Sequence, residues 1–342
     1  MLIAPSTTLS DAQEELSVRR LKFAAVSYVV LLLVFWGLAR FFRLGHLDQH
    51  PVSTFFSFAL VISPYWFFGF GAAPVLRRWL QGRLSRILAA LLLILPYAVL
   101  AVPAQIFYWR VAAALALISL LTTFLLSNSA KPSDWRDAVV LTAVGLIVVL
   151  GFLSSGSLLG LKGALLWPAG LGGFPKLMLM DLALYLYLVV KPIDGIGYDL
   201  VPRLADIKIG LREVLFYTPI VIPFGLLLGY LHFHRTMPQL FMVPAAWIFT
   251  FVFVALPEEL FFRGLVQNLL ERRLGSLAAL LVTSVVFGLS HFNKRAAFNW
   301  RYVLLATIAG FFYGRAWRQQ KRLFASSITH STVDTIWSLW FR

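Results

Sequence analysis

Six ionisable residues near the C-terminal end of this 342-residue chain are spaced as if to act together: Glu258, Glu259, Arg263, His291, His330 and Asp334. All lie in or at the end of strongly apolar runs. Acids are scarce in such runs: of the 15 Asp and Glu in the chain, only Asp181, Glu258, Glu259 and Asp334 fall well inside one. A carboxylate at the centre of a membrane helix costs roughly 2.5–3.5 kcal/mol on insertion scales. Several together must therefore face one another or a wet cavity.

Spacing separates the two adjacent glutamates. Glu259 and Arg263 are four apart, acid first, the favourable order for an ion pair along a helix. That pairing buries a neutral unit, and it reads as support for the helix. Glu258 is rotated by about 100° from Glu259 and faces elsewhere, while Pro257 before it loosens the helix and admits water locally. His330 and Asp334, also four apart, share a face.

Counted at about 1.5 Å per residue, Glu258 and His291 each lie roughly 24 Å from a turn near Leu274–Gly275. By the same rise, His330 and Asp334 lie roughly 14–20 Å along the last helix from a turn near Gln319–Lys321. The four converge at similar depth. Two carboxylates and two imidazoles at one depth suit acid–base or metal-assisted hydrolysis.

The elements that must position them follow from composition. The chain is 60% hydrophobic and 13% charged, with a mean hydropathy of +0.81. A soluble domain cannot cover its surface with so few polar residues. The expected fold class is all-α: a polytopic transmembrane bundle of about 9–11 spans with a C-terminal core of about five helices. Candidate spans lie near Leu21–Leu38, Ser53–Val75, Arg86–Trp109, Val111–Leu126, Ala138–Leu153, Lys176–Val190, Val214–His232, Gln239–Phe262, Ser276–His291, Tyr302–Trp317 and Leu323–Trp340. Pro96 and Pro103 interrupt the third span and its junction with the fourth, a pattern that also fits a re-entrant pair. The Gly- and Leu-rich stretch Gly156–Gly173 fits an interfacial position.

The expected organisation is a cytoplasmic tail over 1–20, accessory spans over 21–190, a polar linker over 191–212 and the site-bearing domain over 213–342. Basic loop residues favour an N-terminus inside, most weakly over the last four spans, where Lys294, Arg295 and Arg301 fall outside. The net charge of +15 reads as topology and contact with anionic lipids, not nucleic acid. With no cysteine in the chain, thiol nucleophiles, disulfides and thiolate metal sites are excluded. No phosphate-binding loop occurs either, since "GLGGFP" lacks the following Lys-Ser/Thr.

Glu258-Glu259-x-x-x-Arg263, Phe287-x-x-x-His291 and His330-x-x-x-Asp334, in that order on successive apolar helices, resemble the three motifs of the type II CAAX prenyl endopeptidase-like (CPBP or Abi) family. The resemblance covers about Glu213 to Phe341. It implies an intramembrane endopeptidase of a multi-pass membrane protein, expected in a bacterial plasma membrane. Glu258 would be the base that activates water, assisted by His291. His330 and Asp334 would stabilise the oxyanion or hold a metal, and Glu259 and Arg263 would be supporting structure. The implied partner is a membrane-embedded or lipid-modified peptide or protein substrate.

Family members carry Asn or Asp at the last position, and an ionised Asp334 is no donor for an oxyanion. A zinc (Zn2+) site of His291, His330 and a carboxylate, Asp334 or Glu258, plus water is the alternative to metal-independent chemistry. Two other function classes share the composition. One is a non-catalytic scaffold or immunity protein. The other is a proton-coupled transporter, with Asp181 in "LMLMDLALYLYL" as a relay group. His232-x-His234, beside Arg235 at a span end, reads as an interfacial cluster.

Overall fold

A computed structural model describes residues 9–41, 50–105, 107–129, 134–149, 174–234, 240–292 and 299–341. Over these the chain forms helices and connecting loops, with one isolated antiparallel bridge between Phe233 and Phe341. The helices are α1 (Leu9–Phe41), α2 (Pro51–Gly69), α3 (Ala73–Trp79), α4 (Arg83–Ala101), α5 (Trp109–Ser127) and α6 (Trp135–Val149). Then come α7 (Phe174–Tyr185, extended by a π-helical turn over Leu186–Val190), α8 (Leu204–Leu227), α9 (Met242–Leu274), α10 (Ser276–Leu289), α11 (Trp300–Gln320) and α12 (Leu323–Trp340).

Among the described residues, α2, α4, α5, α8 and α9 are long and apolar enough to cross a membrane on their own; α10 is apolar but shorter. The remaining helices are shorter or more polar, and α12 gains its polarity from Ser, Thr, His330 and Asp334.

Several boundaries move from the sequence expectation. α1 begins at Leu9, inside the segment read as a tail, because Ala, Gln, Glu and Leu are good helix formers in water as well as in lipid. α8 begins at Leu204, inside the expected linker: the Asp206 carboxylate accepts from the Arg203 N–H at 3.2 Å and caps its first turn. α9 continues past Phe262 to Leu274 and stops at Gly275, where φ is +78°. α4 and α5 are two separate helices, as the two candidate spans there implied, with the break at 102–108 rather than at 109–111. The interfacial stretch Gly156–Gly173 and the basic residues Lys294 and Arg295 lie outside the described residues.

Apart from Lys176 and Asp181, α7 is apolar and is buried accordingly. Leu177, Leu179, Met180, Leu184, Leu186 and Tyr187 are each at most 2% exposed. The helices before it and after it therefore share one core. The Tyr65 hydroxyl on α2 donates to the Val252 carbonyl on α9 at 2.9 Å, and the Tyr198 hydroxyl to the Tyr65 carbonyl at 2.6 Å.

The loop between α7 and α8 also fixes the start of α12. Arg322 donates from Nε to Asp206 Oδ1 at 2.9 Å, from Nη1 to Asp199 Oδ2 at 2.8 Å and from Nη2 to the Val201 carbonyl at 2.7 Å. Burial alone would push this guanidinium down, but the Asp206 and Asp199 carboxylates hold it above its ordinary value. Gly197, at φ +74°, accepts the Leu323 N–H at 3.0 Å, and any side chain there would collide with the Lys321 carbonyl. The first turn of α12 is thus clamped two turns ahead of His330.

Close approach of α10 and α11 depends on a small-residue pair, Gly310-x-x-x-Gly314. A Cβ at Gly310 would meet the Ser284 backbone at 3.2 Å and the Phe287 ring at 3.1 Å. Gly310→Val is expected to force these helices apart and cost about 1–3 kcal/mol, the usual range for overpacking. Thermal unfolding in detergent should show a lower midpoint for Gly310→Val than for Gly310→Ala, and both below the parent.

Candidate active site

The site is built where α9 departs from regular helix. Pro257 has no N–H to donate, and the turns on both sides of Leu256–Glu259 are widened into π-helix, Phe251–Ala255 before and Leu260–Gln267 after. The Leu256 N–H accordingly donates five residues back, to the Phe251 carbonyl. Widened turns of this kind re-aim the side chains of a helix without ending it.

Glu259 is fully buried and gathers three partners. Its Oε1 accepts from Arg263 Nη1 at 3.0 Å, the pair expected from the spacing. The same oxygen meets His330 Nδ1 at 2.8 Å, and Oε2 accepts from the Ser326 hydroxyl. Arg263, also 0% exposed, passes the connection on: Nη2 donates to the Gly310 carbonyl at 2.9 Å, and the guanidinium lies 4.6 Å from the Phe287 ring centroid. α9, α11 and α12 are locked together at one buried carboxylate.

That geometry gives Glu259 more than the helix-supporting part expected of it. A carboxylate accepts, so the proton of the contact sits on His330 Nδ1 and Nε2 is turned the other way. Nε2 lies 3.4 Å from Asp334 Oδ2 and 3.8 Å from Glu258 Oε2. The two glutamates, about a quarter-turn apart, thus address opposite nitrogens of one imidazole. The ring is fixed by stacking on Tyr313, centroids 4.4 Å apart and 18° between planes, and by the edge of Phe287.

His291 follows the end of α10. Its Nδ1 is 2.9 Å from the Phe287 carbonyl, which only accepts, so Nδ1 carries the proton and Nε2 is left as an acceptor. The ring packs on Phe287 and Tyr302. Glu258, His291, His330 and Asp334, the four residues expected to converge, line one small cavity with Tyr217 and Trp337. Its volume of about 40 Å³ is enough for an ordered water, which needs a polar pocket of about 10–15 Å³.

One residue of the site has no counterpart in the motif reading. Lys176 Nζ, on α7, lies 2.6 Å from Glu258 Oε1, with both side chains mostly buried. The two are 82 positions apart; the only signal in the sequence was a lysine at the head of an apolar run. The donor types around the cavity suit zinc. Among the described residues, however, no three His, Asp or Glu side chains are gathered as a metal-binding group, and an ammonium already occupies one Glu258 oxygen. The chemistry proposed below is derived from protein groups and water.

Asp181 lies away from this cavity, buried on α7. His234 donates its backbone N–H to the Trp340 carbonyl at 2.9 Å, beside the Phe233–Phe341 bridge, which ties the loop after α8 to the end of α12.

Residues 239–336 match the family model described as type II CAAX prenyl endopeptidase Rce1-like. The matched segment begins just before α9 and ends within α12, so it contains all three motifs. No curated protein and no solved structure matches the chain. With its five apolar helices and this match, the chain is an integral, multi-pass membrane protein whose segment 239–336 is similar to the type II CAAX prenyl endopeptidase family.

Removing one partner of a fully buried ion pair strands the other charge and typically costs about 3–5 kcal/mol. Glu259→Gln is therefore expected to unfold the protein at markedly lower temperature in detergent. Glu259→Gln combined with Arg263→Met should recover part of that loss, since no uncompensated charge then remains. Equal midpoints for the single and double variants would contradict this account.

Proposed function

We propose that this protein is an intramembrane endopeptidase that cleaves a membrane-embedded or lipid-modified peptide, with Glu258 as the base that activates water. The observation that carries the reading is the water-sized cavity in which the Glu258 carboxylate and the His330 and His291 imidazoles meet within a membrane helix bundle. Polar groups are costly at that depth, and here they surround a space where a water has several partners.

A water bound there gives its proton to Glu258 while its oxygen attacks the scissile carbonyl carbon. The His291 Nε2 acceptor orients that water. The carbonyl oxygen becomes an oxyanion as the C–O bond forms. His330, held through Nδ1 by Glu259, offers an N–H at Nε2 to that oxyanion. Asp334 is the resting acceptor for the same N–H, so its carboxylate need not donate to anything. The C–N bond then breaks, and the proton on Glu258 passes to the departing amine. Glu258 thus serves first as base and then as acid, which leaves the protein unchanged after one turnover.

Comparative membrane proteomics of cells carrying the parent or the Glu258→Gln protein tests this reading. Uncleaved peptides are expected to accumulate in the variant, with cleavage reduced by at least about 10²–10⁴-fold, the usual contribution of a positioned base. His291→Ala should accumulate the same peptides. Unchanged processing in both variants, with folded protein in the membrane, would remove the peptidase reading and leave a binding scaffold of the same fold.

A further inference from the structure

Lys176 lies outside the residues matched to the family and on the far side of the polar loop from the three motifs, yet it is in direct contact with the proposed base. The Glu258 carboxylate divides its two oxygens. Oε1 is held by Lys176 Nζ at 2.6 Å, while Oε2 is turned toward His330 Nε2 at 3.8 Å. A gap of 3.8 Å is too long for a direct hydrogen bond. Glu258 lines the cavity with further polar groups: His330, Asp334 and Trp337 from α12, His291 beyond α10, Tyr217 from α8, and Tyr302 and Tyr313 from α11. Among these lining groups none carries a permanent positive charge. Arg263, on α9 itself, is committed to Glu259 and Gly310.

We infer that Lys176 is a positioning residue for Glu258, supplied by the helix that precedes the polar loop. It fixes one carboxylate oxygen, keeps the group charged in apolar surroundings, and so presents the other oxygen to the water and to His330. α7 is suited to hold it, because the helix is buried on all sides from Leu177 onward and cannot easily rotate. The inference rests on Glu258 being the base. It makes the spans before the polar loop part of the working site, not an appendage to it.

Two experiments separate this inference from the reading beneath it. The first is thermal unfolding of the purified full-length protein in detergent, as parent, Lys176→Met, Glu258→Gln and both together. Lys176→Met is expected to lower the midpoint, and adding Glu258→Gln to restore most of the loss, since the two groups are coupled. Strictly additive shifts would overturn the pairing whatever the catalytic role of Glu258.

The second follows processing of the peptides that accumulate with Glu258→Gln. Lys176→Met should slow their cleavage by about a hundredfold, the scale of a misplaced catalytic group, while Lys176→Arg, which keeps the charge, should restore it. Parental cleavage in Lys176→Met, with Glu258→Gln inactive, would overturn the positioning role alone. Parental cleavage in Glu258→Gln would overturn the base assignment, while the unfolding cycle would still report on the pair.

Discussion

The buried carboxylate of Glu259 is the constraint on which the rest of the site depends. It has no exposure to solvent and is bonded to Arg263, Ser326 and His330 at once. Each contact reaches a different part of the molecule. Arg263 continues to the Gly310 carbonyl on α11, Ser326 anchors α12 one turn before His330, and His330 receives its tautomer and its orientation. A carboxylate in that position cannot be left partly satisfied, because the cost of an unpaired buried charge is several times that of a missing neutral hydrogen bond. The helices are therefore held in one arrangement, and the second glutamate can be aimed at the cavity with precision.

Charge balance explains how so many ionisable groups persist in an apolar bundle. Lys176, Arg263 and an imidazolium at His330 oppose Glu258, Glu259 and Asp334, each within a contact of an opposite partner. The cluster as a whole is then neutral. Burying a neutral network is far less costly than burying its members singly, and within it the contacts are short and directional. The rings of Phe287, Tyr302 and Tyr313 pack on the two imidazoles, and such apolar surroundings strengthen the contacts.

Much of this was legible in the sequence because it is written at helical spacing. Glu259 with Arg263 and His330 with Asp334 are both four apart, and both pairs are in contact. The turns that set the depth of the site fall at Gly275 and Lys321, the two positive-φ residues flanking α10–α11. What spacing could not supply is what depends on packing between distant segments. Lys176 reaches Glu258 across 82 positions. The link from Glu259 to His330 arises because an imidazole has two nitrogens facing different helices, which no periodicity on α9 encodes. The widened turns around Pro257 also displace α9 from the ideal helix on which the angular estimate rested. Gly310-x-x-x-Gly314 was visible as a pattern, but its meaning came only from the Ser284 backbone lying against it.

The chamber holding Glu258 and His330 is about 40 Å³, more than the roughly 10–15 Å³ that one ordered water needs. Its polar lining comes from α8, α9, α11 and α12 and from His291 after α10, so a shift of any one of these helices reshapes the chamber.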